Sequence, residues 1–113
     1  MGNVHVDYIE LPGSDIAAAK KFYSVVFGWT FTDYGPDYVA FGAAKIGGGF
    51  TTERKAAKAC GPLVIFYSDD LAGTEAKVRA AGGDVTEHIE FPGGRRFHFL
   101  DPNGNELAVW TDK

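Results

Sequence analysis

The pattern of turns, apolar residues and helix signals in this chain occurs twice, once in each half of its 113 residues. A shift of 55 positions superposes Asp15-Ile16 on Asp70-Leu71. The same shift superposes Gly28 on Gly83. Few residues are identical, so the repeat lies in the order of the elements rather than in residue identity. This order predicts two like units, each with its own helix and its own set of strands.

The first unit begins with residues 4–11, which alternate between apolar and polar side chains and predict a strand. Ser14 or Asp15 then offers a helix N-cap. Apolar side chains recur at helical spacing up to Phe27, and Gly28 is placed as the C-cap. Three short strands are predicted after this helix, at residues 29–34, 38–44 and 45–52.

The second unit repeats this order, beginning with an almost continuous apolar strand at residues 63–67. Asp69-Asp70 then caps a helix at residues 71–81. A regular strand over residues 85–91 would place His88 on the opposite face from Val85 and Phe91. Turn signals separate the last three predicted strands, which lie at residues 85–91, 95–100 and 106–110.

A helix covers only one face of the four-stranded sheet in each unit, so the other face needs a partner. Two such units satisfy this need by setting their sheets side by side. The sequence therefore predicts an α+β fold in which two βαβββ modules form a curved, eight-stranded half-barrel with the helices outside. We expect one domain over residues 1–113, with modules at about 3–53 and 61–112. The linker between them permits pairing within one chain or exchange between chains.

Composition and charge exclude several classes of function. The net charge is −4, and the one basic cluster, Arg54, Lys55 and Lys58, lies in a predicted loop, so no nucleic-acid partner is expected. No apolar run approaches the length of a membrane span, and residues 1–7 do not resemble a signal peptide. We therefore expect a cytoplasmic protein with no membrane partner. Cys60 is the only cysteine, which excludes an intrachain disulfide and every multi-cysteine zinc motif.

Several stretches, in the right order, cover nearly the whole chain and carry a family resemblance. They include Tyr8-Ile9-Glu10-Leu11-Pro12, Phe27-Gly28-Trp29, and residues 97–107 with the turn Asp101-Pro102-Asn103-Gly104. In these residues the sequence resembles the vicinal oxygen chelate superfamily, which contains glyoxalase I, bleomycin-resistance proteins and extradiol dioxygenases. The resemblance implies the fold of two βαβββ modules and a small-molecule cleft on its concave face.

The resemblance also implies a metal site, in which side chains from four strands, mostly His and Glu, hold a divalent ion. In this sequence the corresponding positions are Tyr8, Leu63, Ala108 and a residue within 45–52, a stretch that holds no His or carboxylate. Leu and Ala cannot coordinate a metal at all. We therefore expect no cofactor, and a divalent metal is disfavoured. Glu10 and Glu106 lie two residues from such positions, so an unusual carboxylate site with a His stays open.

Strand alternation predicts which side chains face the cleft, if Tyr8, Leu63 and Ala108 do. The candidate catalytic residues are Glu106, Glu10 and His98, as bases. A neutral Glu or an Arg96–Glu106 ion pair is an alternative. Tyr67 and Trp110 could equally fill the cleft or lie in a dimer interface, and His98 could be a hydrogen-bonded strand histidine. The candidate ligand-binding residues are Tyr8, Leu63, Ile65, Tyr67, Arg96, Ala108 and Trp110.

These observations favour a protein of the glyoxalase/bleomycin-resistance type that binds a small organic molecule in an aromatic cleft, without the usual metal and as a homodimer. One alternative is a lyase or isomerase that acts on a small carbonyl compound with a carboxylate base, with or without an atypical metal. Another is an interaction module whose cleft its own side chains fill. Residues 47–49 are three glycines that are not a phosphate loop and permit sheet curvature or the close approach of a ligand or partner chain.

Overall fold

The computed structural model describes residues 5–59 and 61–113. Residue 4, at the start of the first predicted strand, and Cys60 lie outside the described residues. Both units contain the elements that the sequence predicts, in the same order. In the described residues these elements are β1 (Tyr8–Pro12), α1 (Ile16–Phe27), β2 (Thr30–Asp33), β3 (Tyr38–Gly42), β4 (Gly47–Thr51), β5 (Val64–Tyr67), α2 (Leu71–Ala80), β6 (Asp84–Phe91), β7 (Gly94–Leu100) and β8 (Glu106–Thr111).

The eight strands form two four-stranded sheets with the same topology. One has the order β1-β4-β3-β2 and belongs to module 1, and the other has the order β5-β8-β7-β6 and belongs to module 2. In each module the first strand is parallel to the last, and the other pairs are antiparallel. The predicted class, two βαβββ modules with helices outside, is confirmed. Strands β1 and β5 each lie at a sheet edge.

Both helices begin where the sequence places a capping aspartate. The Asp15 carboxylate accepts a hydrogen bond from the Ala18 N–H, and the Asp70 carboxylate accepts one from the Gly73 N–H. Helix α1 ends at Gly28, whose φ of +71° is the left-handed conformation that glycine adopts most readily. Neither helix is long and apolar enough to cross a membrane.

The first strand is shorter than the sequence predicts, and its pairing explains why. Tyr8 lies opposite Gly47, the first residue of β4. Residues 5–7 precede the start of β4, so they have no backbone partner there and are not in a strand.

One apolar core joins the modules on the helix side of both sheets. In α1, the Phe22 ring lies 6.0 Å from Phe99 of β7, and the Phe27 ring stacks 4.4 Å from Phe66 of β5, measured between ring centroids. The helix of module 1 therefore packs directly on the sheet of module 2, and burial of this aromatic surface stabilises both modules together.

A buried hydrogen-bond network around Asp101, in the β7–β8 turn, also joins the modules. The Asp101 carboxylate accepts from the Tyr23 hydroxyl of α1 at 2.8 Å and from the backbone N–H groups of Asn103 and Asn105 at 2.9 Å. The Asn105 amide donates to Asp101 and, at 2.7 Å, to the Pro12 carbonyl of β1. The turn therefore fixes where module 2 meets the first strand and helix of module 1.

Strand β6 contains a bulge that changes which residues face the helix. Val85 lies opposite Phe99, but Glu87 lies opposite His98, so Thr86 is an extra residue in β6. The strand is therefore not regular over residues 85–91, so the condition for placing His88 on the opposite face from both Val85 and Phe91 is not met. Val85 and Phe91 are on opposite faces, and His88 faces α2, where its Nε2 atom lies 2.9 Å from the Glu75 carboxylate.

Candidate functional site

Each sheet has a concave face that no helix covers, and these two faces carry the predicted site residues. Tyr8 and Glu10 lie on the concave face of module 1, with Tyr38 beside them. The other predicted site residues lie on or next to the concave face of module 2. They are Leu63, Ile65, Tyr67, Arg96, His98, Glu106, Ala108 and Trp110. The candidate residues therefore lie on two separate faces, one in each module.

The concave face of module 2 is largely aromatic. The Trp110 ring contacts Tyr67 edge to face, with 5.2 Å between ring centroids, and the Phe91 ring lies 6.4 Å from Trp110. Ile65 is 43% exposed and Tyr67 is 50% exposed, whereas Ala108 beneath them is fully buried. This face therefore offers apolar surface to a ligand or partner at Ile65, Tyr67 and Trp110, beside the polar side chains of Arg96, His98 and Glu106.

Glu106 is held by two hydrogen bonds and is not free to act as a base. One carboxylate oxygen lies 2.9 Å from His98 Nδ1, and the other accepts from the Ala59 N–H at 2.7 Å. The hydrogen bond from His98, followed by that from the Ala59 backbone, lowers the pKa of Glu106. The hydrogen-bond partner of the Glu106 carboxylate is therefore His98 and not Arg96. A carboxylate with a lowered pKa is a weaker base, which disfavours Glu106 for proton abstraction.

The lowered pKa of Glu106 predicts a specific loss of stability in acid. A carboxyl group whose pKa is lower in the folded state stabilises that state above its unfolded pKa, about 4.3 for Glu. This contribution is lost as the pH falls through the lowered value. We expect Glu106→Gln to melt at a lower temperature than the wild type at pH 7, and this difference in melting temperature to narrow as the pH falls below about 4.3, the unfolded pKa of Glu. Thermal unfolding of both proteins at several pH values from 7 to 3 measures this difference in melting temperature.

Glu53→Gln, which changes an exposed side chain of the linker, is the control for that experiment. Its melting temperature should follow that of the wild type at every pH. If the difference in melting temperature between Glu106→Gln and the wild type stays constant down to pH 3, the Glu106 carboxylate is not the titrating group.

The residues at the usual metal positions of the resembled superfamily do not fit a metal. The register of β4 is now defined, and Gly47, Gly49 and Thr51 are its residues on the concave face. Together with Tyr8, Leu63 and Ala108, these positions offer no His and no carboxylate. The usual site therefore has no suitable ligand set in this chain.

A different group of residues brings three metal-ligating atoms close together. Glu87, His98 and Glu106 each offer one such atom, and all three lie within 4.8 Å of one another. Sequence reasoning missed Glu87 because the bulge at Thr86 turns it toward His98. His98 is a poor ligand here, however. Its Nδ1 atom is already bonded to Glu106, and in the described part of the chain its Nε2 atom is buried without a partner. A metal on Nδ1 would leave a buried Nε2–H without an acceptor.

On the concave face of module 1, Tyr8, a predicted ligand-binding residue, contacts Tyr38, which sequence reasoning did not single out. The Tyr8 and Tyr38 hydroxyl oxygens are 2.6 Å apart. Burial, followed by hydrogen bonds with Tyr8 and Glu10, raises the pKa of Tyr38. The glycines of β4 make room for both rings. A Cβ at Gly49 would lie 2.5 Å from the Tyr38 hydroxyl, and one at Gly47 would lie 3.2 Å from the Tyr8 ring.

Two adjoining clefts open beside these tyrosines. The larger, of about 500 Å³, lies between β1, the linker and the start of β8, and both Glu10 and Glu106 line it. The smaller, of about 410 Å³, is lined by Glu10, Tyr38, Thr51, Glu53 and Arg54. Glu10 belongs to both clefts and is exposed. The structure thus brings Glu10 and Glu106 to one cleft, with Glu10 at the junction with the smaller one.

Comparison with known proteins adds family and fold information. Residues 5–109 match the model of the Glyoxalase/Bleomycin resistance protein/Dioxygenase superfamily. No curated protein matches the chain significantly in sequence.

Solved structures match it over nearly their whole length. A glyoxalase/bleomycin resistance protein/dioxygenase family enzyme from Burkholderia phytofirmans has 19% identity and a TM-score of 0.82, over 97% of this chain and 100% of that one. A lactoylglutathione lyase from Agrobacterium tumefaciens has 20% identity and a TM-score of 0.75, over 97% and 95%. An antibiotic-binding protein from a Streptomyces species has 21% identity and a TM-score of 0.75, over 98% of each chain.

Proposed function

Because the chain belongs to the Glyoxalase/Bleomycin resistance protein/Dioxygenase superfamily, we propose that it binds a small organic molecule on its concave faces without the superfamily's usual divalent metal. The observation that carries this proposal is the set of residues at the usual metal positions. A tyrosine, a leucine, an alanine and residues without a His or carboxylate side chain stand there, beside exposed Tyr67 and Ile65. Aromatic and aliphatic walls with a few polar groups suit an organic ligand.

The fold of the Streptomyces antibiotic-binding protein supports a binding role, since that protein is named for binding and not for a reaction. Glu106 supports it as well, because both of its oxygens are engaged and its pKa is lowered. We propose Trp110, Tyr67 and Ile65 as the apolar contacts, and Tyr8 and Glu10 as polar ones.

We also propose that the protein acts as a homodimer. Each concave face has only four strands, and in the described residues β1 pairs only with β4 and β5 only with β8. Edge strands with free backbone groups beside exposed aromatic side chains favour pairing with a second copy. A dimer should sediment at twice the 12.2 kDa mass of the chain. A monomer at micromolar concentration would contradict this part of the proposal.

A second candidate function, a lyase or isomerase reaction on a small carbonyl compound, is favoured by Glu10. Its carboxylate is exposed and lies at the junction of the two clefts, whereas Glu106 is occupied and His98 is buried. Of the three candidate bases, Glu10 is therefore the one that a substrate can reach. Loss of turnover in Glu10→Gln with ligand binding retained would favour this function.

The binding function is tested by a thermal-shift screen of metabolites, aldehyde adducts and antibiotics, with and without divalent metals. A ligand at one hundred times its Kd stabilises the folded state by about 2.7 kcal/mol, which shifts the melting temperature by several degrees. We expect an organic ligand to produce this shift in the absence of metal. Trp110→Ala should reduce it, because it removes the central ring of the module 2 face.

Tyr34→Ala is the matched control, since Tyr34 is an exposed aromatic residue just after β2 and outside the candidate site. It should leave the ligand shift unchanged. Stabilisation by a divalent metal alone would contradict the metal-free part of the proposal. An equal loss of the ligand-induced shift in Trp110→Ala and in Tyr34→Ala would contradict the proposed binding site.

A further inference from the structure

Arg96 is a charged residue on the concave face of module 2 with an apolar neighbour on each side. It belongs to β7, an inner strand of the sheet, and lies opposite Ile89 of β6 and Trp110 of β8. Among the residues that the structure describes, no ion pair includes Arg96. The guanidinium therefore has no counter-charge from the described part of the chain.

The Arg96 side chain has also lost part of its hydration. The residue is partly buried, and its Nε–H is buried without an acceptor in the described part of the chain. A guanidinium keeps its charge and has N–H donors but no acceptor, so it needs water or an anion around it. Withdrawing such a charge from water without a partner costs free energy. An anion that binds at the terminal nitrogens of Arg96 would offset this cost.

The carboxylates on the same face do not supply that anion. Glu106 is held by His98 and by the Ala59 N–H. Glu87 lies opposite His98, and its carboxylate is 3.6 Å from His98 Nδ1. Both carboxylates are thus directed to His98, and the end of the Arg96 side chain is left for a bound molecule.

We propose that Arg96 binds a carboxylate of the ligand, so that the concave face of module 2 selects apolar acids with one negative charge. A carboxylate fits the terminal nitrogens of a guanidinium through two parallel hydrogen bonds. The neighbouring rings of Trp110 and Tyr67 offer apolar surface to the rest of the molecule. The inference rests on the proposed binding function and adds the ligand class.

The charge of the surrounding face limits the ligand to one negative charge. Glu87 and Glu106 both lie close to His98, the next residue after Arg96 on this face of β7. These carboxylates repel a second anion on the same face. A phosphate with two negative charges meets more of this repulsion than a carboxylate with one. The face therefore favours a carboxylate over a phosphate.

A matched pair of probes tests the inference. The molecule 2-naphthoate carries a carboxylate, and 2-naphthamide has the same shape with a donor nitrogen in place of one oxygen. We expect naphthoate to bind at least about tenfold more tightly, the effect of hydrogen bonds to a charged group. Isothermal titration calorimetry measures both dissociation constants. In NMR spectra the indole N–H signal of Trp110 should shift on binding, and that of buried Trp29 should not.

Substitutions at two adjacent arginines show where the carboxylate binds. Arg96→Met keeps an extended apolar side chain but removes the charge, so the preference for naphthoate should fall to less than about threefold. Arg96→Lys keeps the charge without the paired donors and should give an intermediate preference. Arg95→Met is the matched control, because it removes the same charge from an exposed side chain on the other face of β7. It should keep the wild-type preference.

The protein without ligand provides a second measurement. Because Arg96 has lost hydration without gaining a partner, Arg96→Met should melt at the wild-type temperature or above it. A fall of several degrees would overturn the inference, since Arg96 would then have a structural partner. A change of oligomeric state in Arg96→Met, measured by sedimentation, would overturn it as well, since a second copy of the chain would then supply the acceptor.

Equal affinity of the wild type for naphthoate and naphthamide would overturn the inference and leave the binding function standing. An equal loss of preference in Arg96→Met and Arg95→Met would also overturn it, because the overall charge of the protein would then attract the acid. Tighter binding of 2-naphthyl phosphate than of naphthoate would overturn the choice of a carboxylate. Failure of every probe to bind overturns the ligand class alone, since the thermal-shift screen tests the binding function independently.

Discussion

Asp101→Ala is expected to destabilise the folded state by about 3–5 kcal/mol, the cost of breaking a buried charged network. The carboxylate accepts hydrogen bonds from Tyr23, from two backbone N–H groups of its own turn and from the Asn105 amide. Alanine leaves these donors without an acceptor in a buried place, where each costs about 1–3 kcal/mol. The melting temperature should fall by roughly 10 °C or more.

The expected destabilisation is this large because the hydrogen-bond donors to Asp101 come from both modules. Tyr23 belongs to α1, and Asn105 also holds the Pro12 carbonyl at the end of β1. Asp84→Ala, at the exposed start of β6, is the control and should change the unfolding free energy by less than about 0.5 kcal/mol. Chemical denaturation of both variants measures the difference. An effect of Asp101→Ala below 1 kcal/mol would mean that water replaces the carboxylate in the turn.

The second large effect is expected for Gly48→Ala, at about 3 kcal/mol of destabilisation. Gly48 is buried in β4 and faces the core side, and an added Cβ would overlap the Phe41 ring and the Ile9 carbonyl oxygen. The ring could move, but the carbonyl belongs to β1, which pairs with β4 at this point. The methyl group must therefore separate β1 from β4 or displace the backbone of both.

Gly47→Ala changes the neighbouring glycine and is the matched control. Its Cβ would lie 3.2 Å from the Tyr8 ring, which is 48% exposed and free to shift. We expect this variant to change the unfolding free energy by less than about 1 kcal/mol. Similar losses in the two variants, measured by denaturation, would show that the effect comes from glycine flexibility and not from close packing.

These glycines illustrate what sequence reasoning could reach. From the sequence, the three glycines at residues 47–49 have two possible roles, which are sheet curvature and the close approach of a ligand or partner chain. In the structure the close neighbours are residues of the same chain, Phe41 and Ile9 on one face and Tyr38 on the other. The two helices and their ends were predictable, because a capping aspartate and a terminal glycine act locally.

The candidate site was less predictable, because its geometry depends on how strands pair. The sequence assigns Glu87 to no site, because a bulge of one residue decides its face and no local signal marks Thr86. The sequence predicts a strand at Tyr38, but the contact of Tyr38 with Tyr8 depends on the register of β3, β4 and β1 together. A register shift of one residue reverses a side chain's face, so sequence alternation alone cannot specify such contacts.

The bulge in β6 has an evolutionary consequence. Because Thr86 is one extra residue, its deletion would leave Val85 opposite Phe99 and Glu87 opposite His98, so every later side chain of the strand would keep its partner and its face. Anywhere else in β6, the loss of one residue would exchange the faces of the side chains on one side of it. The bulge is therefore the point at which this strand can lose or gain a single codon while the residues offered to a ligand stay the same.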